Sequence, residues 1–119
     1  LMHTIKADLS KNLLVLSLEG FMNDQEIRET STEVINEAKK LKPGFSVIND
    51  ISKMKPATQT GVEDITKAQA AVLKMGVGKV IRIVDNPVSK MQFQRTAKLA
   101  SADYQVAEVS DMDEAMRMI

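Results

Sequence analysis

Hydroxyls, lysines and carboxylates gather in one short stretch of the chain, DISKMKPATQTGVED from Asp50 to Asp64. Thr60, Gly61, Val62 and Glu63 fit a capping box, in which the threonine hydroxyl accepts from the Glu63 amide and the Glu63 carboxylate reaches back to Thr60. The same hydroxyl at a helix N-terminus is also a place for a phosphate, which would meet free amides and a favourable dipole. Lys53 and Lys55 would assist that phosphate, while Glu63 and Asp64 would oppose it. Both roles of Thr60, cap and phosphorylation site, stay open on the residues alone. Asp50, Ser52, Lys53, Lys55, Thr58 and Gly61 make up the candidate partner-binding loop around it.

Other reactive groups are dispersed. Asp50 and Asp85 fall at the carboxyl ends of expected parallel strands, where open α/β sheets usually place ligands. A receiver-type acidic phosphoacceptor needs further carboxylates after the first parallel strand, and the region of Glu19 and Gly20 offers one. His3 is the only histidine and no cysteine is present, so a histidine-bridged metal site, a thiolate zinc site and a cysteine nucleophile are all unsupported. The GVGK run from Gly76 to Lys79 follows a helix and precedes a strand, the reverse of a phosphate loop, and is expected to end that helix. No catalytic group, metal or cofactor is expected, and the chain is read as a non-enzyme.

Composition narrows the partners. Sixteen Lys and Arg balance sixteen Asp and Glu, so the electrostatic footprint of a nucleic-acid binder is lacking. Aromatics are 3% of residues, leaving little material for stacking on bases. The apolar run LLVLSL, Leu13 to Leu18, is too short to span a membrane and lacks the flanks of a secretory signal. The expectation is a cytoplasmic protein without a transmembrane segment, forming a single domain over residues 2–119, with Leu1 a cloning remnant ahead of Met2.

These residues need a frame to hold them. HTIKAD, from His3, and NLLVLSLEG, ending at Gly20, predict a hairpin. Asn23 with Glu26 predicts a capped helix, stapled by Met22 against Ile27 and stopped by Pro43 and Gly44. FSVIND, Phe45 to Asp50, predicts a buried strand, and a second helix is expected from about Thr60 to Met75, with Val62, Ile65, Gln69, Val72 and Leu73 on or near its inner face. KVIRIVD, Lys79 to Asp85, predicts another strand, and Asn86-Pro87 opens a third helix running to about Ala102. YQVAEV from Tyr104 and a last helix capped by Ser110 and Asp113 complete the order β-β-α-β-α-β-α-β-α. Crossovers through helices imply a mixed, mostly parallel α/β sheet with an opening antiparallel hairpin.

The eight methionines are the remaining feature. Met112 and Met116 on the last helix, and Met91 near Phe93 on the third, are either adaptable core filling or an apolar ligand or partner surface. A homodimer through a sheet edge or through these helices is a further expectation.

The hydrophobic frames VLSLEG, GFSVINDIS, TQTGVEDI, GVGKVIRIVD and YQVAEVSDMDEAM together resemble the STAS domain family, typified by bacterial anti-sigma-factor antagonists, and especially its divergent branch related to lipid-binding SEC14-like proteins. The resemblance covers nearly the whole chain. It implies a non-enzymatic regulatory or protein-binding domain with a protein partner. In the antagonists the hydroxyl residue before the glycine that opens the helix is phosphorylated by a partner kinase, which corresponds to Thr60 before Gly61. The family's acidic residue is replaced here by Thr58, and one hydroxyl by Gln59. The SEC14-like likeness implies the alternative, a carrier of a small apolar ligand or lipid.

Overall fold

The computed structural model describes residues 3–85 and 105–119. In chain order it contains β1 (His3–Asp8), β2 (Leu13–Gly20), α1 (Asp24–Ala38), β3 (Ser46–Met54), α2 (Gln59–Lys74), β4 (Lys79–Ile83), β5 (Gln105–Val109) and α3 (Met112–Met116). The strands form one sheet in the order β1-β2-β3-β4-β5. β1 pairs antiparallel with β2, and every other pair is parallel. This is the mixed α/β sheet that the alternation of strand and helix patterns implies. The expected helix from Pro87 to Ala102, with Met91 and Phe93, lies outside the described residues, as does Tyr104.

Local signals explain most boundaries. Asn23 accepts from the Glu26 amide at 2.8 Å, and the Glu26 carboxylate accepts from the Asn23 amide at 3.0 Å, completing the predicted box. Met22 and Ile27 are both buried in one cluster, as a hydrophobic staple requires. At the far end of α2, Gly76 takes φ +91°, and its amide and that of Val77 donate back to Leu73 and Val72. That paired return closes a helix through a left-handed residue, the conformation glycine adopts without a Cβ penalty.

Two boundaries differ from the sequence reading. β3 does not stop at Asp50 but continues to Met54, so Ser52 and Lys53 belong to a strand rather than to a loop. From Ser17 to Glu19, β2 advances two residues while β3 advances three, from Asp50 to Lys53, so an extra residue bulges out of β3. The bulge lets Ile51 and Met54 both join the cluster around Leu18 and Met22. In α3 the cap is Asp111, whose carboxylate accepts from the Glu114 amide at 2.8 Å, one residue beyond the expected Ser110 and Asp113.

Alternate strand residues build two cores. Leu14, Leu16, Val47 and Val80 meet Ala38 and Val72 of α1 and α2 on one face, while Leu13, Ile48, Ile81, Ile83 and Val109 meet Ala115 of α3 on the other. One register row crosses the centre of the sheet as Leu16, Asn49, Arg82 and Glu108, and only its first member is apolar.

Candidate functional site

The start of α2 is built differently from the box expected at Thr60. Its cap is Thr58, with the extended backbone of that position, and the Thr58 hydroxyl accepts from the Gly61 amide at 3.1 Å. The same hydroxyl donates to the Asp24 carboxylate in the first turn of α1, tying the two helix starts together. Thr60 is thereby corrected from cap to second residue of the helix. Its side chain is exposed, and no hydrogen bond engages its hydroxyl among the described residues. Gly61 is the residue that lets α1 approach, since a Cβ there would lie 2.6 Å from Ile27 Cδ1.

Around this turn the other predicted residues separate by role. Asp50 Oδ1 accepts from both the amide and the hydroxyl of Ser52, at 3.1 and 2.6 Å, which holds the bulge rather than presenting a free acid. Lys53 pairs across the strands with Glu19 at 3.6 Å, both exposed. The Lys55 amide donates to the Gly20 carbonyl at 2.9 Å, and the Lys55 side chain is exposed. Phe21 is 49% exposed, an aromatic on the rim of this polar loop that sequence reasoning passed over. Its position between Gly20 and buried Met22, in the link just before a helix cap, was the available signal. Asp50 and Asp85 form no catalytic pair, since Asp50 is engaged by Ser52 and Asp85 is exposed beyond β4.

Beneath α1 and α2 lies a second feature. A cavity with about 100 Å³ of room for the centres of water-sized molecules opens between these helices and the sheet. Its lining is mostly aliphatic, with Leu14, Leu16, Val34, Val47, Val72 and Val80 contributing. Five polar side chains break that lining: Thr30 and Ser31 from α1, Gln69 from α2, Asn49 from β3 and Arg82 from β4. Arg82 is 2% exposed, Thr30 5% and Asn49 8%. Thr30 Oγ1, Asn49 Oδ1 and Gln69 Oε1 are buried without a hydrogen-bond partner. Among the described residues no ion pair or side-chain hydrogen bond engages Arg82. Removing a cation from water costs several kcal/mol unless something replaces the hydration, so a cluster of this kind is costly to keep for packing alone.

Sequence reasoning placed Gln69 on the inner side of α2 but did not connect it with Arg82. The signal was an arginine in the otherwise apolar run KVIRI, on the same strand face as Val80. Met112 and Met116 are half-buried and pack against the α3-side core. Met91 and Phe93, the other half of that proposed apolar surface, lie outside the described residues. Among the described residues no three His, Asp or Glu side chains gather to hold a metal ion, and no helix is long and apolar enough to cross a membrane.

No family model matches the sequence, and no curated protein matches it. Solved structures do match its fold. An uncharacterised protein of the DUF3478 family with a SpoIIAA-like fold, from Shewanella loihica, aligns at TM-score 0.72 and 15% identity, over 98% of this chain and 92% of that one. The anti-sigma factor antagonist SpoIIAA in its unphosphorylated form aligns at 0.62 and 13%, over 98% and 96%. An anti-sigma factor antagonist from Mycobacterium paratuberculosis aligns at 0.59 and 12%, over 98% and 93%. With its antiparallel opening pair, parallel remainder and crossover helices, the chain has the SpoIIAA-like, or STAS, fold.

Proposed function

We propose that this chain is a non-catalytic STAS-like regulatory domain that binds a protein partner through the surface formed by the bulged end of β3, the loop to Thr58 and the first turn of α2. The observation that carries the reading is Phe21, 49% exposed in the link from β2 to α1, whose neighbour Gly20 is bonded to Lys55 in the loop between Lys53 at the end of β3 and Thr60 at the start of α2. An exposed aromatic anchor surrounded by charged groups is the usual composition of a protein contact. Structural neighbours that are anti-sigma factor antagonists support a protein partner. A cytoplasmic setting goes with this reading, as the cysteine-free sequence suggests.

Thr60 is the switch in this reading. With Thr58 supplying the cap, the Thr60 hydroxyl is free to accept a phosphate beside the orphan amides of the helix start. The neighbouring exposed Glu63 would repel that phosphate, so modification would change the surface charge sharply and weaken a partner that prefers the unmodified form. Quantitative affinity capture from the native host tests both steps. A partner retained by the wild type should fall at least tenfold with Phe21→Ser, with Lys53→Glu plus Lys55→Glu, and with Thr60→Asp, but not with Lys11→Glu at the β1-β2 turn. Equal capture by all variants would sink the surface assignment.

The cavity under α1 and α2 favours a second reading, a carrier of a small apolar ligand. Its aliphatic lining is the specific support. A thermal shift or calorimetric signal with small apolar molecules checks it, and the absence of any such binding removes it.

A further inference from the structure

We propose that the cavity is a monocarboxylate site, in which Arg82 holds the acid group of a ligand whose short hydrocarbon tail lies against Leu14, Val47 and Val72. The proposal rests on the carrier reading and adds the chemistry of the ligand's head. Arg82 is 2% exposed and lines the cavity, and no protein acceptor engages its side chain among the described residues. A guanidinium carries five N–H donors in a rigid fork that matches the two oxygens of a carboxylate. A carboxylate placed there would supply the acceptors that the surrounding aliphatic side chains cannot.

The neighbouring polar atoms fit the same head group. Asn49 is the register partner of Arg82 across β3 and β4, so the two side chains stand side by side on one face. Thr30 and Gln69 approach from the two covering helices, and one oxygen of each of these three residues is buried without a partner. An amide can present either its NH₂ or its oxygen, and a hydroxyl rotates, so all three can turn donors toward an anion or toward a water that solvates it. Glu108 follows Arg82 in the same register row, and no ion pair within 4.0 Å joins them.

Size limits the ligand. An engineered apolar cavity of about 150 Å³ admits benzene, so a space of about 100 Å³ suits an acid of roughly three or four carbons rather than a long-chain lipid. The larger part of the lining gives the tail an apolar bed, while the polar end selects against a plain hydrocarbon.

Butyrate and 1-butanol separate head from tail. In calorimetric titrations at neutral pH, butyrate should bind the wild type about 10- to 100-fold more tightly than 1-butanol, the preference expected for a charge-assisted hydrogen bond in a buried site. Arg82→Met, which fills the same length with apolar atoms, should remove that preference while leaving 1-butanol affinity within twofold. Arg82→Lys should retain part of it through the charge. Equal binding of the two molecules by the wild type, or butyrate binding unchanged by Arg82→Met, would overturn the carboxylate assignment and leave the carrier reading standing. Binding of neither molecule would overturn both. The wild-type comparison decides the matter even if a variant folds poorly.

Discussion

Ile81 and Arg82 are consecutive residues of β4 and meet opposite faces of one sheet. Ile81 enters a core of Leu13, Ile48, Ile83 and Val109 packed with Ala115, and among the described residues none of the buried polar side chains, Thr30, Asn49 and Arg82, belongs to it. Arg82 enters the space under α1 and α2, beside Asn49, Thr30 and Gln69, where a cavity remains. The first face is organised for packing, since apolar atoms there satisfy one another. The second spends part of its apolar area on polar groups that gain nothing from aliphatic neighbours. The contrast sets a polar, cavity-bearing α1/α2 side against an apolar α3 side on neighbouring residues of one strand.

The strongest way to break this comparison is to exchange the two environments for alanine and methionine. Ile81→Ala should cost about 2–5 kcal/mol, because a fully buried side chain leaves a cavity its neighbours fill only in part. Arg82→Met, one residue along, should leave stability unchanged or raise it by on the order of 1 kcal/mol, since it removes an unpaired buried cation. Urea denaturation of the two variants reads both. A comparable loss for Arg82→Met would mean that the arginine is a packing residue and that the two faces are alike.

The α2 start gives the next effect. Thr58→Ala should cost about 1 kcal/mol through loss of the cap, and Thr60→Ala should stay within about 0.5 kcal/mol of wild type. The reverse order in the same denaturation experiment would return the cap to Thr60 and remove its freedom to act as a switch.

Thr30→Val sharpens the comparison inside the cavity. It replaces a buried, unpartnered hydroxyl with a methyl of similar shape and should stabilise the protein by up to about 1 kcal/mol. Destabilisation of that size would show that the hydroxyl is solvated in the folded protein.

The smallest effect concerns how α1 is held over the sheet edge. The Glu37 carboxyl is kept below its ordinary value of 4.5 chiefly by the hydrogen bond from Lys40, and also by the Ala7 amide of β1 at 3.1 Å, against a desolvation that works the other way. A carboxylate with a depressed folded pKa adds stability above its unfolded pKa, and that stability is lost as pH falls through the folded value. The contribution of Glu37 is therefore complete at neutral pH and fades below about pH 4.5. Glu37→Gln should flatten that acid limb of a thermal-melting pH profile slightly and leave the neutral region parallel to wild type.

Much of the fold was legible because its signals are local. Asn23 and Glu26 sit three residues apart and cap α1 wherever the helix docks. Gly76 closes α2 through its own backbone freedom. The β1-β2 hairpin and the alternation of strands with helices fix which pairs run antiparallel and which parallel. The α2 start was less legible because two threonines two residues apart both fit a cap. Asp24 of α1 reaches Thr58, and that contact between helices accompanies capping by Thr58 rather than by Thr60.

By itself the sequence determined the order of the described elements, the mixed sheet and the helix ends set by nearest neighbours, since hydrogen bonds within a few residues need no tertiary partner. Tertiary structure decided the rest. Only pairing with β2 extended β3 through its bulge to Met54, because a strand's length depends on the neighbour that supplies its hydrogen bonds. Only the packing of α1 and α2 over the sheet turned Arg82 from an arginine in an apolar run into the charged end of a cavity, because burial belongs to the surfaces that meet and not to the residue that is covered.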